Sequence, residues 1–254
     1  MKIATWNVNS LNVRLPHVKA WLESASPDVL ALQEIKQVTE AFPADEIATL
    51  GYASRASGQK TYNGVAMISR DEVVDVVTDF PGFDDPQRRI LAATVNGVRV
   101  VNLYVPNGSS LESDKYRYKL DWLAALTGFL TEELKTHRDV VVLGDFNIAP
   151  EDRDVYDPEK WGEDVLCSPP ERAALKALLA LGFVDVFRKF SEDPEFSWWD
   201  YRAAAFRRNA GLRIDLILAS TPLAERCRAS YIDREPRGWD RPSDHTPVVA
   251  EFDL

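Results

Sequence analysis

Val140-Val141-Val142-Leu143-Gly144-Asp145-Phe146-Asn147 is an apolar, largely β-branched run that empties into a polar turn. Four large aliphatic residues without polar alternation describe a strand buried on both faces, and a glycine followed by an Asx pair closes it. The same arrangement recurs outward in both directions. Ile3-Ala4-Thr5-Trp6 leads into Asn7, Val29-Leu30-Ala31-Leu32-Gln33 into Glu34, and Val100-Val101-Asn102-Leu103 into Tyr104-Val105-Pro106-Asn107. Gly211-Leu212-Arg213-Ile214 leads into Asp215, and Ser243-Asp244-His245 precedes Pro247-Val248-Val249. Carboxylates and amides collected at strand ends, from Asn7 to His245, predict that the two chain ends build one site, and that this site handles a metal and a phosphate.

Nine segments read as strands: Ile3 to Val8, Val29 to Gln33, Gly64 to Ser69, Val73 to Thr78, Ile90 to Val95, Val98 to Val105, Val140 to Asp145, Ile214 to Ala219 and Val248 to Phe252. The clearest helix runs from Ser113 or Asp114 to about Lys135, with shorter ones at Pro16 to Ser24, Phe42 to Leu50, Pro170 to Leu181 and Pro222 to Arg226. The mix is α/β or α+β. The gap from Ile68 to Val73 is too short for a crossover helix, whereas Val101 to Val140 has room for one, so mixed sheets are expected. Two such sheets packed face to face with helices outside would cover every strand in one domain over residues 1–254. The stretches Ile148 to Pro170 and Ser191 to Ala210 are too long to be mere connectors and read as functional loops.

Composition narrows the class. The chain of 254 residues carries a formal charge of −10, which argues against a generic basic nucleic-acid binder. From Arg202 to Arg241, however, nine arginines and no lysine stand against five carboxylates, so the last fifth is locally positive. Arginine forks suit phosphate, although pairing with surface carboxylates explains the same residues. Cys167 and Cys227 lack metal-ligand spacing and read as reduced structural thiols. A strand beginning at Lys2 leaves no room for a leader, and no apolar stretch approaches the roughly 18 to 20 residues that span a bilayer. A soluble cytoplasmic monomer is expected.

Each polar position has a chemical reading beside a structural one. Glu34 is either a solvated strand end or a ligand for a cation such as Mg²⁺, which takes one or two carboxylates and keeps its waters. Asn7 is a turn residue or a neutral partner of metal or phosphate. Asp145 and Asn147 form an Asx turn, or else handle a proton and hold an attacking water. Asp215 interrupts an apolar strand, where a bare carboxylate is costly, and His245 is its natural partner: the pair would fix the tautomer and favour imidazolium. Tyr104 offers a phenol or phenolate to a phosphate. Trp198 and Trp199 cluster on a loop, where they could stack on a sugar or base.

Taken together, Trp6-Asn7-Val8-Asn9, Leu32-Gln33-Glu34, Gln87-Arg88-Arg89-Ile90, Tyr104-Val105-Pro106-Asn107-Gly108, Gly144-Asp145-Phe146-Asn147-Ile148-Ala149-Pro150, Phe196-Ser197-Trp198, Gly211-Leu212-Arg213-Ile214-Asp215 and Pro242-Ser243-Asp244-His245 closely resemble the exonuclease III family of abasic-site endonucleases. The likeness runs over essentially the whole chain. It implies the four-layer α/β-sandwich of the endonuclease/exonuclease/phosphatase superfamily, Mg²⁺ or Mn²⁺ dependence, and repair activity on duplex DNA at abasic sites or 3′ ends. By matching positions, it implies Glu34 as principal metal ligand, with Asn7, Asp145, Asn147, Asp244 and His245 at the metal-phosphate centre. Asp145 and Asn147 match the pair around the nucleophilic water, Asp215 the carboxylate that orients His245, and Tyr104 the active-site tyrosine. Arg89 and Asn107 fall among the DNA contacts, and Trp198 and Leu212 where the family lines its pocket for a sugar lacking its base. The chain departs from the pattern after Asn107: Gly108-Ser109-Ser110 supplies no large residue to enter the duplex, which leaves Arg202 as the candidate wedge. Asp145 as base with Asp215-His245 on the phosphate is preferred, and exchanged roles fit the sequence equally. Two rivals are a superfamily phosphodiesterase or phosphatase acting on RNA or a small substrate, and a silent DNA-binding module, against which the complete set of site residues argues.

Overall fold

The computed structural model describes residues 1–254. Up to Ser69 the chain forms strands β1 (Lys2–Asn7), β2 (Val29–Gln33), β3 (Ala53–Ser57) and β4 (Val65–Ser69) and helices α1 (Leu11–Ala25) and α2 (Ala44–Ala48). Then follow β5 (Val74–Val77), β6 (Ile90–Val95), β7 (Val98–Tyr104), α3 (Asp114–Thr136), β8 (Val140–Asp145), α4 (Pro158–Trp161), α5 (Pro169–Ala180) and β9 (Phe183–Asp185). The chain ends with β10 (Asp215–Ser220), α6 (Thr221–Ala224), β11 (Cys227–Ile232) and β12 (Val248–Phe252). One six-stranded sheet has the order β11-β12-β1-β2-β4-β3, the other β5-β6-β7-β8-β10-β9. Both are mixed, with β1·β2 and β7·β8 parallel and the remaining neighbours antiparallel.

Side-chain alternation with period two explains the layers. Ile3, Val29, Ala31 and Val65 of one sheet face Leu91, Val100, Val141, Leu143 and Ile217 of the other. The opposite faces are also covered. Ala4, Trp6, Leu30 and Leu32 pack on Val18, Trp21 and Leu22 of α1, while Val101, Val140 and Val142 pack on Trp122, Leu126 and Leu130 of α3 and Leu175 and Leu178 of α5. The order helix, sheet, sheet, helix is the α/β sandwich expected from the sequence.

Three edge strands, β3, β9 and β11, escaped the sequence reading. They lie at sheet margins, and β3 alternates exposed and partly buried residues instead of carrying an apolar run. Helix α1 starts at Leu11, ahead of Pro16. Its opening turn is held by Arg14, whose guanidinium donates to Asn9 O at 2.5 Å and Pro242 O at 3.0 Å. Asp215 is the first residue of β10 and not an interruption within it.

Candidate active site

Every strand that ends in a chemically useful residue ends at the same side of the two sheets. The β1·β2 register pairs Asn7 with Gln33, so Glu34 emerges beside Asn7. Asn7 Nδ2 donates to Glu34 Oε1 and to Asp145 Oδ2, both at 2.9 Å, and so clamps a carboxylate from each sheet. Glu34 turns its other oxygen to Lys36 Nζ at 2.8 Å. The C-terminal segment is pinned by Ser243 Oγ, which donates to Asn7 O at 2.7 Å and accepts from His245 N at 3.2 Å. This is how residues from the two chain ends share one site.

His245 and Asp215 are both buried, with His245 Nδ1 2.9 Å from Asp215 Oδ2. Ser197 Oγ donates to the same Asp215 oxygen at 2.6 Å. His245 Nε2 points toward Asp145 Oδ2 at 3.7 Å. Burial by itself would lower the His245 pKa, but the charges of Asp215 and Asp145 outweigh it and push the imidazole up to about 10, so the ring is imidazolium at neutral pH. Burial, reinforced by the Asp215 charge, pushes the Asp145 carboxyl up to about 7 against the pull of His245 and of hydrogen bonds from Asn7 and Asn147. Asp244 behaves differently: burial would raise it, but the His245 charge and hydrogen bonds from Asn9 at 2.9 Å and Trp198 Nε1 at 3.0 Å hold it below its ordinary value. Burial and the charges of Glu34 and Asp145 raise Tyr104 well above the usual phenol range, so it is a neutral hydrogen-bond donor and not a phenolate.

The turn after β8 folds back on itself. Asn147 takes a left-handed backbone, φ 49°, and its N–H donates to Asp145 Oδ1 at 2.9 Å. The two side chains therefore meet through an Asx turn and not by strand alternation. Asn147 Oδ1 accepts from Asn107 Nδ2 at 3.0 Å, and Asn147 Nδ2 donates to Val105 O at 3.0 Å.

A cavity of about 190 Å³ opens over this set. Of the residues singled out in the sequence, Glu34, Tyr104, Asn107, Asp145, Asn147, Trp198, Asp244 and His245 line it, and Asn7 and Asp215 lie buried behind it. Leu166 and Ile214 complete its wall and were missed, because nothing marks an aliphatic residue on a loop as a site residue until the loop is folded. Leu212 lines instead an adjoining cavity of about 380 Å³, shared with Trp198 and containing Trp161 and Arg202. Arg202 is exposed there, with its guanidinium forked onto Asp200 at 2.8 to 3.2 Å. Arg89 lies on the opposite flank, stacked 4.6 Å from the Tyr104 ring centroid, in a polar cavity of about 540 Å³ with Gln59, Tyr62 and Lys115. Trp199 belongs to a small core with Phe196 and Ala205, and its buried ring is not available to a sugar or base.

The arginines of the last fifth divide. Arg213, Arg226 and Arg228 pair with carboxylates, as the structural alternative requires, and Arg234 and Arg237 stack on Trp199, Tyr201 and Phe206. Arg207, Arg208 and Arg241 are exposed and make no ion pair. No helix is long and apolar enough to cross a membrane.

Donor atoms of Asp145, Asp215 and His245 lie within 4.8 Å of one another and form a group that could hold a metal ion. The charge around it fits such a group: the carboxylates of Glu34, Asp145, Asp215 and Asp244 are opposed by Lys36 and the His245 ring. Oxygen donors of this kind suit hard cations. His245 holds its ring proton between Asp215 and Asp145, and Asn7 turns its amide nitrogen to the carboxylates. The carboxylates that line the cavity are those of Glu34, Asp145 and Asp244.

An α/β sandwich with acids, amides and a charged histidine at its open end has the form of a phosphodiester hydrolase. The chain belongs to the endonuclease/exonuclease/phosphatase family, whose model matches residues 4–245. It is 38% identical over 266 residues to exodeoxyribonuclease III of Haemophilus influenzae, covering 99% of this chain and 100% of that protein. Among solved structures, the 3′ phosphatase NExo from Neisseria, bound to a product DNA hairpin, is 52% identical with a TM-score of 0.99, and each chain is covered completely. An AP endonuclease from Archaeoglobus fulgidus is 42% identical with a TM-score of 0.95, again over 100% of both chains.

Proposed function

We propose that this protein is a divalent-metal-dependent DNA-repair nuclease that hydrolyses the phosphodiester 5′ to abasic sites in duplex DNA and also removes nucleotides or blocking phosphates from 3′ ends. The observation that carries the reading is the buried row Asp215, His245, Asp145 beside Glu34 at the floor of a cavity of about 190 Å³. The names of the relatives support it: exodeoxyribonuclease, AP endonuclease and 3′ phosphatase all act on DNA ends or lesions.

Glu34 and Asp244, with Asp145 between the sheets, are the residues that would hold Mg²⁺ or Mn²⁺, which when bound supplies Lewis-acid stabilisation of charge on the phosphoryl oxygens. The chain's own groups do the rest. Asp145, with its acid constant near neutrality, accepts a proton from the water that attacks phosphorus in line with the departing 3′ oxygen. Asn147 and Asn107 hold that water or a phosphate oxygen. The His245 imidazolium, kept charged and oriented by Asp215, donates to a non-bridging oxygen, and the neutral Tyr104 hydroxyl donates to another. Trp198, Ile214 and Leu166, with Leu212 behind, give an apolar wall for a sugar without its base, and an ordinary nucleotide is rejected by bulk. Arg89, and Arg202 once released from Asp200, contact the flanking duplex, on which a single copy of the chain acts.

The deciding experiment is cleavage of an end-labelled duplex with one abasic site beside an intact duplex with a recessed 3′ end, each with Mg²⁺ and with chelator. Metal-dependent incision 5′ to the lesion is expected, with shortening of the intact duplex measuring the exonuclease. No product from either duplex under any divalent ion discards DNA hydrolysis and moves a small-substrate phosphatase to first place.

A further inference from the structure

The buried face of α3 carries Tyr116, Lys119, Trp122, Leu123 and Leu126, so the helical period sets a lysine where the core otherwise takes apolar side chains. Its side chain is fully buried, as is that of Glu171 on α5, and the two form an ion pair. Such a pair seldom repays its desolvation in stability, since apolar residues of similar volume often serve as well or better. Its contacts show another use. Lys119 Nζ donates to Asn147 O at 2.6 Å and to Asn107 O at 3.1 Å besides Glu171 Oε1, which occupies all three of its protons. Glu171 accepts from Leu166 N at 3.1 Å, and with its other oxygen from Ser168 N at 3.1 Å and Ser168 Oγ at 2.5 Å. Asn107, Asn147 and Leu166 all line the active-site cavity, and they come from three separate segments of the chain.

We infer that the Lys119–Glu171 pair is a positioning device for the active site: it fixes the backbones of Asn107, Asn147 and Leu166 at the cavity and so sets where phosphate, water and sugar sit. The inference rests on the phosphodiesterase reading of that cavity. Two of the three residues hold conformations that the chain does not favour on its own, φ 49° at Asn147 and φ 77° at Leu166. A bulky residue in the left-handed region persists only when its surroundings over-determine it, and here Glu171 supplies the bond to the Leu166 amide. Asn147 is held at every polar atom: its N–H by Asp145, its carbonyl by Lys119, its side-chain amide by Asn107 and Val105. Without the ammonium, the carbonyls of Asn107 and Asn147 lose a charged partner, and the turn can rotate toward solvent. Lys119 touches no substrate; it acts through the asparagines.

Lys119→Met keeps the bulk and removes the donors, while Lys119→Arg keeps charge and donors. For the methionine variant, kcat on the abasic duplex is expected to fall about 10²-fold, the scale of a misplacement of about 1 Å, with KM changed by less than about threefold. The arginine variant should recover at least about tenfold of the loss. Side-chain amide ¹⁵N resonances of Asn107 and Asn147 should move in the methionine variant and return toward wild type in the arginine variant. A folded Lys119→Met protein with wild-type kcat and unmoved Asn147 resonances overturns the proposal. If Lys119→Met does not fold, Glu171→Gln, which keeps an acceptor but not the charge, carries the decision: reduced kcat with native circular dichroism supports the positioning role and normal kcat refutes it. Wild-type protein that cleaves no DNA sinks the functional reading alone, because the amide resonances still report the positioning.

Discussion

Asp215→Asn should release the His245 proton into the neutral range. A full charge about 4 Å from another, at an effective dielectric of about 20, is worth about 4 kcal/mol. That is about three pKa units. His245 stands at about 10 against an ordinary 6.5, with burial acting downward and Asp215 the strongest of the charges acting upward. Neutralising Asp215 therefore brings the ring to about pH 7. Asparagine still offers an oxygen to Nδ1, so the ring keeps its place and the change is one of charge. Loss of a preorganised charge facing the phosphate should reduce kcat by about 10² to 10³. The sign of the pH dependence follows: on the alkaline side the variant loses activity as pH rises through about 7 and His245 gives up its proton, whereas wild-type His245 keeps its proton to about 10, and on the acid side both proteins lose activity as Asp145 takes up a proton. Imidazole ¹⁵N spectra of the metal-free protein between about pH 5.5 and 9, with kcat over the same range, measure both. A variant whose His245 stays imidazolium at the upper end, or whose kcat is within about twofold of wild type, refutes the reasoning.

Asp145→Asn should abolish cleavage while duplex Kd stays within about tenfold, or about 1.4 kcal/mol, measured by anisotropy with a labelled abasic duplex; near-normal turnover sinks the assignment of Asp145. The folded Asp145 pKa of about 7 exceeds the ordinary 3.8, so the stability this acid contributes is complete below about pH 4 and is lost as pH rises through about 7. In chelator, then, the Tm of Asp145→Asn relative to wild type should climb over that window, and a flat difference contradicts it. Glu34→Gln removes one oxygen charge from the proposed cation site, and the Mg²⁺ concentration for half-maximal cleavage should rise by at least about tenfold, with chelator silencing both proteins; an unchanged metal requirement removes Glu34 from the site. Burial raises the Cys167 thiol to about 12 and lifts that of Cys227, so neither should react with a thiol reagent at about pH 8 until the chain unfolds, when two equivalents react.

The central strands were legible because burial on both faces leaves nowhere for polar residues except the ends. Val140 to Asp145, Val29 to Gln33 and Val98 to Tyr104 appear where the apolar runs predict. Edge strands obey no such constraint. In β3, Ala53 to Ser57 is small and polar with one buried residue, and β9 has three residues, so neither leaves a periodic trace. The polar half of the site was legible for the same reason as the central strands, since each group terminates a run that alternation cannot expose. Its apolar half was not. Leu166 reaches the cavity through a left-handed backbone and a bond to Glu171, and Leu212 falls into the neighbouring cavity because Ile214 takes the position facing His245. Lys119 could be noticed as a charge on an apolar helix face, but its partners come from two loops and a second helix whose convergence no local pattern records.

The β8·β10 register sets Asp145 directly opposite Asp215, two buried carboxylates on neighbouring strands. Like charges in that relation destabilise a sheet, and an apolar pair at the same position would cost nothing in folding. The fold accepts the pair through four compensations, each visible as a contact: Ser197 donates to Asp215, Asn7 and the Asn147 N–H donate to the two oxygens of Asp145, and the protonated His245 ring lies between the two acids. The compensation is uneven. Asp215 takes the close contact with the ring and Asp145 the distant one, and burial, with the Asp215 charge added to it, holds the Asp145 acid constant up against the pull of the ring. The ring is thus held 2.9 Å from Asp215 against 3.7 Å from Asp145, close enough to the first to keep its proton and far enough from the second to leave burial in command of the Asp145 acid constant. Moving the ring toward Asp145 would quench the base, and moving it away would leave both acids uncompensated. The Ser243 anchor to Asn7 O and the Ser197 bond to Asp215 hold the ring between those limits, which is why the last strand of the chain must close against the first.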